Sequence, residues 1–156
     1  MKVSELLTPE FIIPDLKGET KEEVINELIN LFKNDPRVED IERVRAAVLD
    51  REKVMSTGVG KGFAIPHGKT NAVKEIVGAF GKAKKGIDYD ALDGNPVQLI
   101  FLLVGKDNLI STHIKLLSRI SRLMNKDDFR HRLTEANSAD EIIKLFTEEE
   151  EHFLEL

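Results

Sequence analysis

The sequence at residues 97–104 is Val-Gln-Leu-Ile-Phe-Leu-Leu-Val, which is apolar at every position except Gln98. A run of this length and composition is typical of a central β-strand that is buried on both faces. Such a strand needs helices above and below it, because apolar side chains must cover each face. The run therefore predicts an α/β domain in which a sheet lies between two layers of helices.

Amphipathic helices are predicted on both sides of this strand in the sequence. Two precede it: the first begins with a capping box at Thr20 and Glu23, and the second ends near residues 50–53. Three follow it, and we expect their inward residues to include Ile114, Ile120, Phe129, Leu133, Ile142 and Phe146. The N-cap candidates of these three helices are Ser111 or Thr112 for the first and Ser138 for the last, and the acidic run at residues 148–151 is expected to face solvent.

Shorter strand candidates lie at residues 11–13, 59–65 and 76–80. Residues 82–86 are interpreted as a basic turn or a strand end, with a solvated loop favoured. Residues 88–96 contain a turn sequence, Leu-Asp-Gly-Asn-Pro. We find no repeat, linker or domain boundary in the sequence. The prediction is one domain over residues 1–156, a three-layer α/β/α sandwich with a central sheet flanked by helices.

The composition excludes several classes of function. The net charge is −5, which argues against a general nucleic-acid-binding protein. The chain has no cysteine, so disulfides, a thiolate zinc site and a cysteine nucleophile are excluded, and a cytoplasmic location is favoured. The N-terminus lacks the apolar core of a signal peptide, and the longest apolar run is too short to span a bilayer.

The glycine-rich stretch at residues 56–70 is the candidate functional site. Its sequence is Ser-Thr-Gly-Val-Gly-Lys-Gly-Phe-Ala-Ile-Pro-His-Gly-Lys-Thr, with His67 between Pro66 and Gly68. Proline fixes the backbone angle φ, and glycine permits close approach of the main chain to another group. This arrangement indicates a histidine that is presented to a ligand or partner. The alternative is a loop histidine with a structural hydrogen bond.

Nucleotide-binding motifs do not fit this stretch. A P-loop ending at residues 68–70 needs a glycine at position 63, which is Phe63, and Pro66 removes an amide from a loop that works through amides. A dinucleotide-binding fingerprint beginning at Gly58 also needs a glycine at position 63. We therefore interpret the glycines as serving another ligand.

Phosphoryl chemistry is a better match. A neutral imidazole is nucleophilic near pH 7 and can form a covalent intermediate. The amides of the loop, at Gly58 and Gly60, and the hydroxyls of Ser56 and Thr57 are donors of the kind that phosphoryl oxygens accept from. His67 is therefore a candidate phosphoryl acceptor with these four residues as candidate binding residues.

Two residues outside the loop are candidates to assist His67. His113 begins a predicted helix, where the helix dipole disfavours an imidazolium, so it is either a capping or interface residue or a neutral donor to a phosphoryl group. Arg51 is either an ordinary helix-end residue or the positive charge that a transferring phosphoryl group needs. Zinc binding by the two histidines stays open, although no HExxH spacing supports it. His131 and His152 are interpreted as surface residues.

The stretches Leu49-Asp-Arg-Glu and residues 56–68, with residues 86–97 and Thr112-His113, resemble the fructose/mannitol class of IIA domains. These domains belong to the bacterial phosphoenolpyruvate-dependent sugar phosphotransferase system, and the class includes nitrogen-regulatory IIA proteins. The resemblance spans nearly the whole chain. It implies a mixed sheet between helices.

The resemblance also implies a function. In this class the Nε2 atom of the histidine at the position of His67 accepts a phosphoryl group from phospho-HPr and passes it to a cysteine of a IIB domain. Arg51 and His113 match the arginine and the second histidine of the site. The resemblance implies no metal, no nucleotide and no other cofactor, because the donor is already a phospho-imidazole. The alternative is a regulatory protein whose phosphorylation state controls binding to kinases, transporters or transcription regulators.

Overall fold

The central sheet contains five strands: β1 (Ile12–Ile13), β2 (Phe63–Ala64), β3 (His67–Lys69), β4 (Val77–Ile87) and β5 (Val97–Gly105). Strand β5 pairs antiparallel with β4, and its other edge pairs parallel with both β2 and β3. Strand β1 pairs parallel with β4, so the sheet is mixed. The computed structural model describes residues 1–154, and the last two residues of the predicted domain lie outside this range.

Helices cover both faces of the sheet, which confirms the predicted α/β/α sandwich. Helices α1 (Lys21–Ile29) and α2 (Ile41–Val54) pack on one face. Helices α3 (Ile110–Met124), α4 (Asp127–Glu135) and α5 (Ala139–Leu154) pack on the other. Alternate residues of β5 enter the two cores: Leu99, Phe101 and Leu103 face α3–α5, and Ile100, Leu102 and Val104 face α1 and α2.

The predicted N-caps of the first and last helices, Thr20 and Ser138, are also confirmed. The Thr20 hydroxyl accepts a hydrogen bond from the Glu23 amide at 3.2 Å, and the Ser138 hydroxyl accepts one from the Glu141 amide at 3.1 Å. Short 3-10 helices lie at Val3–Leu6, Pro9–Phe11 and Asn30–Phe32. None of the helices in residues 1–154 is long and apolar enough to span a membrane.

The favoured interpretation of residues 82–86 as a solvated loop is wrong, and the strand-end alternative is right, because these residues continue strand β4. Lys82 is buried, and its ammonium group donates to the carbonyls of Thr134, at 2.9 Å, and Ala136. These carbonyls end helix α4, where the helix dipole favours a cation. The ammonium group of Lys82 therefore caps the C-terminal end of α4, and the aliphatic part of its side chain is buried.

The predicted start of the helix after β5 is wrong as well. Helix α3 begins at Ile110 without a side-chain cap, so neither Ser111 nor Thr112 serves as its N-cap. The buried stripe contains His113 in place of Ile114, which is 58% exposed. Neighbouring residues of a helix are separated by a rotation of about 100°, so His113 and Ile114 lie on different faces of α3, one buried and one exposed.

The acidic run at residues 148–151 is not wholly solvated. Glu150 is 1% exposed, and its carboxylate accepts hydrogen bonds from the amides of Val3 and Ser4 at 2.5 and 2.9 Å and from the Ser4 hydroxyl at 2.8 Å. These amides begin the first 3-10 helix and would otherwise lack acceptors. Glu150 thus ties the N-terminus to helix α5, with Arg119 at 3.8 Å.

Candidate active site

Strands β2 and β3 follow one another along the same edge of β5. The break between them contains Pro66, whose carbonyl accepts a hydrogen bond from the Leu103 amide at 3.0 Å. Proline has no amide hydrogen to donate, and it is tolerated in an edge strand because the outer side of that strand pairs with no other strand. The predicted strand at residues 59–65 is accordingly shorter, only Phe63–Ala64, since positive φ angles at Gly60, Lys61 and Gly62 make the preceding residues a loop.

The register of β3 decides which way His67 points. Gly68 packs against α2, where an added Cβ would lie 3.0 Å from the Ala47 carbonyl carbon. Successive side chains of a strand point to opposite faces, so His67 and Lys69 point away from α2, toward the layer that contains α3. His67 and Lys69 pair with Leu103 and Gly105 of β5.

His113 lies in the first turn of α3 and meets His67. The two ring centroids are 5.8 Å apart, with an angle of 53° between the ring planes. The imidazole of His113 lies directly against Gly105, where any Cβ would overlap the ring nitrogen Nδ1. A glycine at the end of β5 is therefore what allows the two rings to converge.

The hydrogen bond of His67 defines its reactive atom. Nδ1 lies 2.8 Å from the Ile65 carbonyl, which can only accept, so Nδ1 carries the hydrogen and Nε2 carries the lone pair. Burial lowers the pKa of the ring, and the positive charges of Arg51 and Lys69 lower it further, against the bond to Ile65 and the charge of Glu52. His67 is therefore a neutral imidazole at pH 7 with a nucleophilic Nε2.

His113 is a buried, neutral imidazole. It is 2% exposed, and burial, together with the neighbouring His67 ring and the charge of Lys69, lowers its pKa to about 4. Neither ring nitrogen has a hydrogen-bond partner within residues 1–154. Leaving a buried polar group unpaired costs about 1–3 kcal/mol, which marks the ring as one that a ligand could complete.

Two cations lie near the histidines. Arg51, in the last turn of α2, donates a hydrogen bond from Nη1 to the Met55 carbonyl at 3.0 Å and forms no ion pair within the described part of the chain. Lys69 is exposed, and its charge acts on both histidines. Lys69 did not emerge from the sequence pattern, although its place two residues after His67 in a strand puts both side chains on one face.

The predicted binding residues of the loop are engaged within the protein. The Thr57 hydroxyl is buried between Glu52 and Tyr89, at 2.9 and 3.0 Å. The Ser56 hydroxyl accepts from the Gly58 amide at 3.1 Å. Gly60 has a φ of 139°, which favours glycine. Phosphoryl binding by Ser56, Thr57, Gly58 and Gly60 stays a prediction.

Glu52 is a second residue that sequence reasoning missed. It is 6% exposed and accepts hydrogen bonds from both the amide and the hydroxyl of Thr57, with Lys21 Nζ at 3.1 Å on its other side. The available signal was its spacing, because position 52 continues the buried stripe of Val44 and Val48 at intervals of four residues.

Exposed apolar side chains lie on or next to the chain segments that carry Arg51, His67 and His113. They are Val54 and Met55 at the end of α2, Val59 in the glycine-rich loop, and Leu109, Ile110 and Ile114 at the start of α3, all at least 37% exposed. A cleft of about 710 Å³ lies elsewhere, between α1 and α2, and is lined by Lys21, Glu52 and Asp88 rather than by either histidine. The histidine pair therefore lies outside this cleft.

Zinc coordination by His67 and His113 would need further ligands from the protein. Within residues 1–154, no group of three or more His, Asp or Glu side chains is arranged to hold a metal ion. The other two histidines are exposed on α4 and α5, where His131 lies 3.2 Å from Glu135.

Similarity to known proteins places this chain in a family. The family model "Phosphoenolpyruvate-dependent sugar phosphotransferase system, EIIA 2" matches residues 5–149. A fructose-specific EIIABC component of Bacillus subtilis is 38% identical over 95% of this chain, which spans only 23% of that protein. A nitrogen regulatory protein of Bradyrhizobium diazoefficiens is 37% identical over 91% of this chain and 92% of its own length.

Solved structures agree with the sequence matches. The nitrogen regulatory protein IIA-Ntr of Neisseria meningitidis superimposes with a TM-score of 0.86 and 31% identity, covering 92% of this chain and 98% of its own. The IIA mannitol domain of Escherichia coli gives a TM-score of 0.76 and 26% identity, covering 90% of this chain and 98% of its own. This chain belongs to the EIIA 2 family of the phosphoenolpyruvate-dependent sugar phosphotransferase system.

Proposed function

We propose that this protein is a histidine phosphocarrier, a phosphotransferase component that receives a phosphoryl group on Nε2 of His67. The proposed donor is the phosphohistidine of HPr, and the proposed acceptor is a cysteine of a IIB domain in fructose- or mannitol-type sugar uptake. The observation that carries the proposal is the pairing of two neutral imidazoles, one with a defined nucleophilic atom and one buried without a partner. The proposed location is the cytoplasm, which agrees with the absence of cysteine.

The transfer step needs no proton movement at His67. The Nε2 lone pair attacks phosphorus while the donor's N–P bond breaks, and the electron pair of that bond returns to the donor ring. Nδ1 keeps its hydrogen, and the Ile65 carbonyl that accepts it stabilises the positive charge that develops on the ring. The second transfer, to a thiolate, reverses the changes at His67.

The surroundings of His67 are suited to the charge of the phosphoryl group. Neutral His113 can donate a hydrogen bond to a phosphoryl oxygen, which would satisfy one of its unpaired nitrogens. Arg51 and Lys69 supply positive charge that attracts the group during transfer. In this proposal the residues of the loop, Ser56, Thr57, Gly58 and Gly60, shape the wall of the site and complete its binding surface.

The exposed apolar residues that lie close in sequence to Arg51, His67 and His113 support a protein as the partner. Apolar patches rimmed by polar residues are typical of protein–protein contacts, and a phosphoryl group carried by another protein must be brought to His67 by docking. Met55 and Ile110 lie close in sequence to Arg51 and His113, respectively, so a docked partner would contact them while its phosphoryl group approaches the histidines.

A phosphorylation assay tests this function. Incubation with phosphoenolpyruvate, enzyme I and HPr should give an acid-labile phosphoprotein, and His67→Ala should abolish the label. His131→Ala is the matched control, because His131 is an exposed histidine on α4 and should not affect labelling. Absence of label on the wild-type protein, or undiminished label in His67→Ala, would refute the proposal.

A regulatory role is the second candidate. It is favoured by the relative from Bradyrhizobium diazoefficiens, which is named a nitrogen regulatory protein and matches over 92% of its own length. In that role the phosphorylated protein would act by binding kinases, transporters or transcription regulators. Transfer from phospho-His67 to a cognate IIB domain separates the two: a carrier transfers its phosphoryl group, whereas a dedicated regulator retains it.

A further inference from the structure

Glu52 fastens the start of the glycine-rich loop from inside the protein. Its carboxylate accepts hydrogen bonds from the Thr57 amide at 3.1 and 3.2 Å and from the Thr57 hydroxyl at 2.9 Å. The Tyr89 hydroxyl lies 3.0 Å from the Thr57 hydroxyl, and Lys21 reaches Glu52 while lying 4.8 Å from the centre of the Tyr89 ring. These contacts hold Thr57 in one position.

Thr57 in turn is connected to His67 through the backbone. The Thr57 carbonyl accepts a hydrogen bond from the Ile65 amide at 3.4 Å, and the Ile65 carbonyl accepts the hydrogen of His67 Nδ1 at 2.8 Å. An unbroken series of hydrogen bonds thus runs from the Glu52 carboxylate through Thr57 and Ile65 to the ring of His67. The last bond of the series is the one that leaves Nε2 unprotonated.

Glu52 also acts on His67 through its charge. Burial lowers the pKa of His67, and the negative charge of Glu52 opposes that effect, while Arg51 acts in the same direction as burial. Adjacent residues of α2 therefore influence the ring in opposite senses. A change of charge at position 52 should move the titration of His67 even if the fold is intact.

We propose that Glu52 is a positioning residue for phosphoryl transfer: through Thr57 and Ile65 it keeps the His67 imidazole oriented, in the form with hydrogen on Nδ1 and the lone pair on Nε2. The effect on transfer rate rests on the proposed function, whereas the effect on the ring does not. Orientation of a nucleophile is a large part of enzymatic rate enhancement, so a ring free to turn or to change tautomer would react more slowly.

Glu150 provides a control that separates positioning from general stability. It is also a buried carboxylate that accepts backbone amides and a hydroxyl, and it also has a cation nearby, Arg119. Its hydrogen bonds lead to the N-terminus rather than to the glycine-rich loop. Substitution of either glutamate should lower the unfolding temperature, but only substitution of Glu52 should alter His67.

The test uses the full chain with Glu52→Ala, Glu52→Gln, Thr57→Val, Thr57→Ser and Glu150→Gln. The ¹⁵N chemical shifts of the His67 ring report the tautomer in the unphosphorylated protein, an NMR titration reports its pKa, and phosphoryl transfer from HPr gives kcat and KM. Thermal unfolding identifies any variant that has lost its fold.

In Glu52→Ala and Thr57→Val we expect a smaller fraction of the Nδ1–H form and a fall in kcat of about tenfold or more, with the KM for HPr unchanged. Glu52→Gln should lower the pKa of His67, and Thr57→Ser should retain the wild-type tautomer. Glu150→Gln should lose stability without any change at His67. Valine is similar in volume to threonine but lacks the hydroxyl group, so Thr57→Val tests the positioning role even if Glu52→Ala does not fold.

A wild-type tautomer and kcat in the folded forms of Glu52→Ala and Thr57→Val would overturn the proposal, and so would an equal change at His67 in Glu150→Gln. The outcome is distinguishable from failure of the proposed function. If the wild-type protein takes no label from HPr but the ring tautomer still depends on Glu52, positioning holds and the phosphocarrier proposal fails.

Discussion

The imidazoles of His67 and His113 lie 5.8 Å apart, one on β3 and the other in the first turn of α3. The first has its Nδ1 hydrogen bonded to a backbone carbonyl, and the second has no partner for either nitrogen among the described residues. One ring is thus prepared to attack, and the other is prepared to donate a hydrogen bond. This difference leads to the predictions below.

Removal of the second imidazole should slow transfer without preventing it. We expect His113→Ala to reduce the rate of His67 phosphorylation by HPr about 10²-fold, because one preorganised donor to the phosphoryl group is lost. Rapid-quench measurement of label uptake gives this rate. His131→Ala should retain the wild-type rate, and a wild-type rate in His113→Ala would show that His113 does not assist transfer.

Gly105 should be needed for the convergence of the two rings. Gly105→Ala places a methyl group where Nδ1 of His113 lies, so we expect a loss of about 1–3 kcal/mol in unfolding free energy and slower phosphorylation. Urea unfolding and the labelling assay measure the two effects. Gly94→Ala is the control: φ is +75° and no atom lies within 4 Å, so it should cost stability through backbone strain alone. Equal labelling in both variants would contradict the prediction.

The stability of the protein should fall between about pH 6.5 and pH 4. The pKa of His113 is about 4 in the folded protein and near its ordinary value, about 6.5, when unfolded. The unfolded chain therefore binds more protons than the folded protein in this interval. The contribution of His113 to stability is complete above pH 6.5 and is lost as the pH falls toward 4. Urea unfolding at several pH values should show that the free energy of unfolding depends less steeply on pH in His113→Gln than in His131→Gln. An identical dependence in the two variants would contradict the assigned pKa.

Arg51 should hold the pKa of His67 down. Its positive charge disfavours the imidazolium, so Arg51→Gln should raise the pKa of His67 and also slow phosphorylation, because a charge that attracts the phosphoryl group is gone. An NMR titration measures the pKa. Lys53→Gln removes an exposed cation two residues further along the chain and should leave His67 unchanged. A pKa that stays constant in Arg51→Gln would place the guanidinium too far from the ring to act on it.

The main features of the fold could be predicted because they depend on local patterns. The apolar run of β5 indicated burial on both faces, and the N-cap residues Thr20 and Ser138 marked helix starts. Lys82 and Glu150 were assigned to solvent because charge suggests exposure. Both are buried because each meets backbone groups at a helix end that are distant in sequence.

The candidate site was predictable where it depends on local sequence patterns. The presentation of His67 follows from its neighbours in the chain. Arg51 and His113 were candidates because of their places at predicted helix ends, and the resemblance matched them to the arginine and second histidine of the site. The contact between the two histidines depends on the pairing of β3 with β5 and on the glycine at position 105, which involve residues far apart in the sequence. The connection from Glu52 to His67 depends on the tertiary path of the loop, which no local pattern specifies.

The identity of the phosphorylated atom tests the central claim most directly. The protein, labelled with ¹⁵N in histidine, would be phosphorylated with phosphoenolpyruvate, enzyme I and HPr, and its ring nitrogens examined by ¹⁵N and ³¹P NMR. The phosphocarrier proposal predicts a single N–P bond, at Nε2 of His67, with hydrogen still on Nδ1. A bond at Nδ1, phosphorylation of another residue, or no phosphorylation would contradict it.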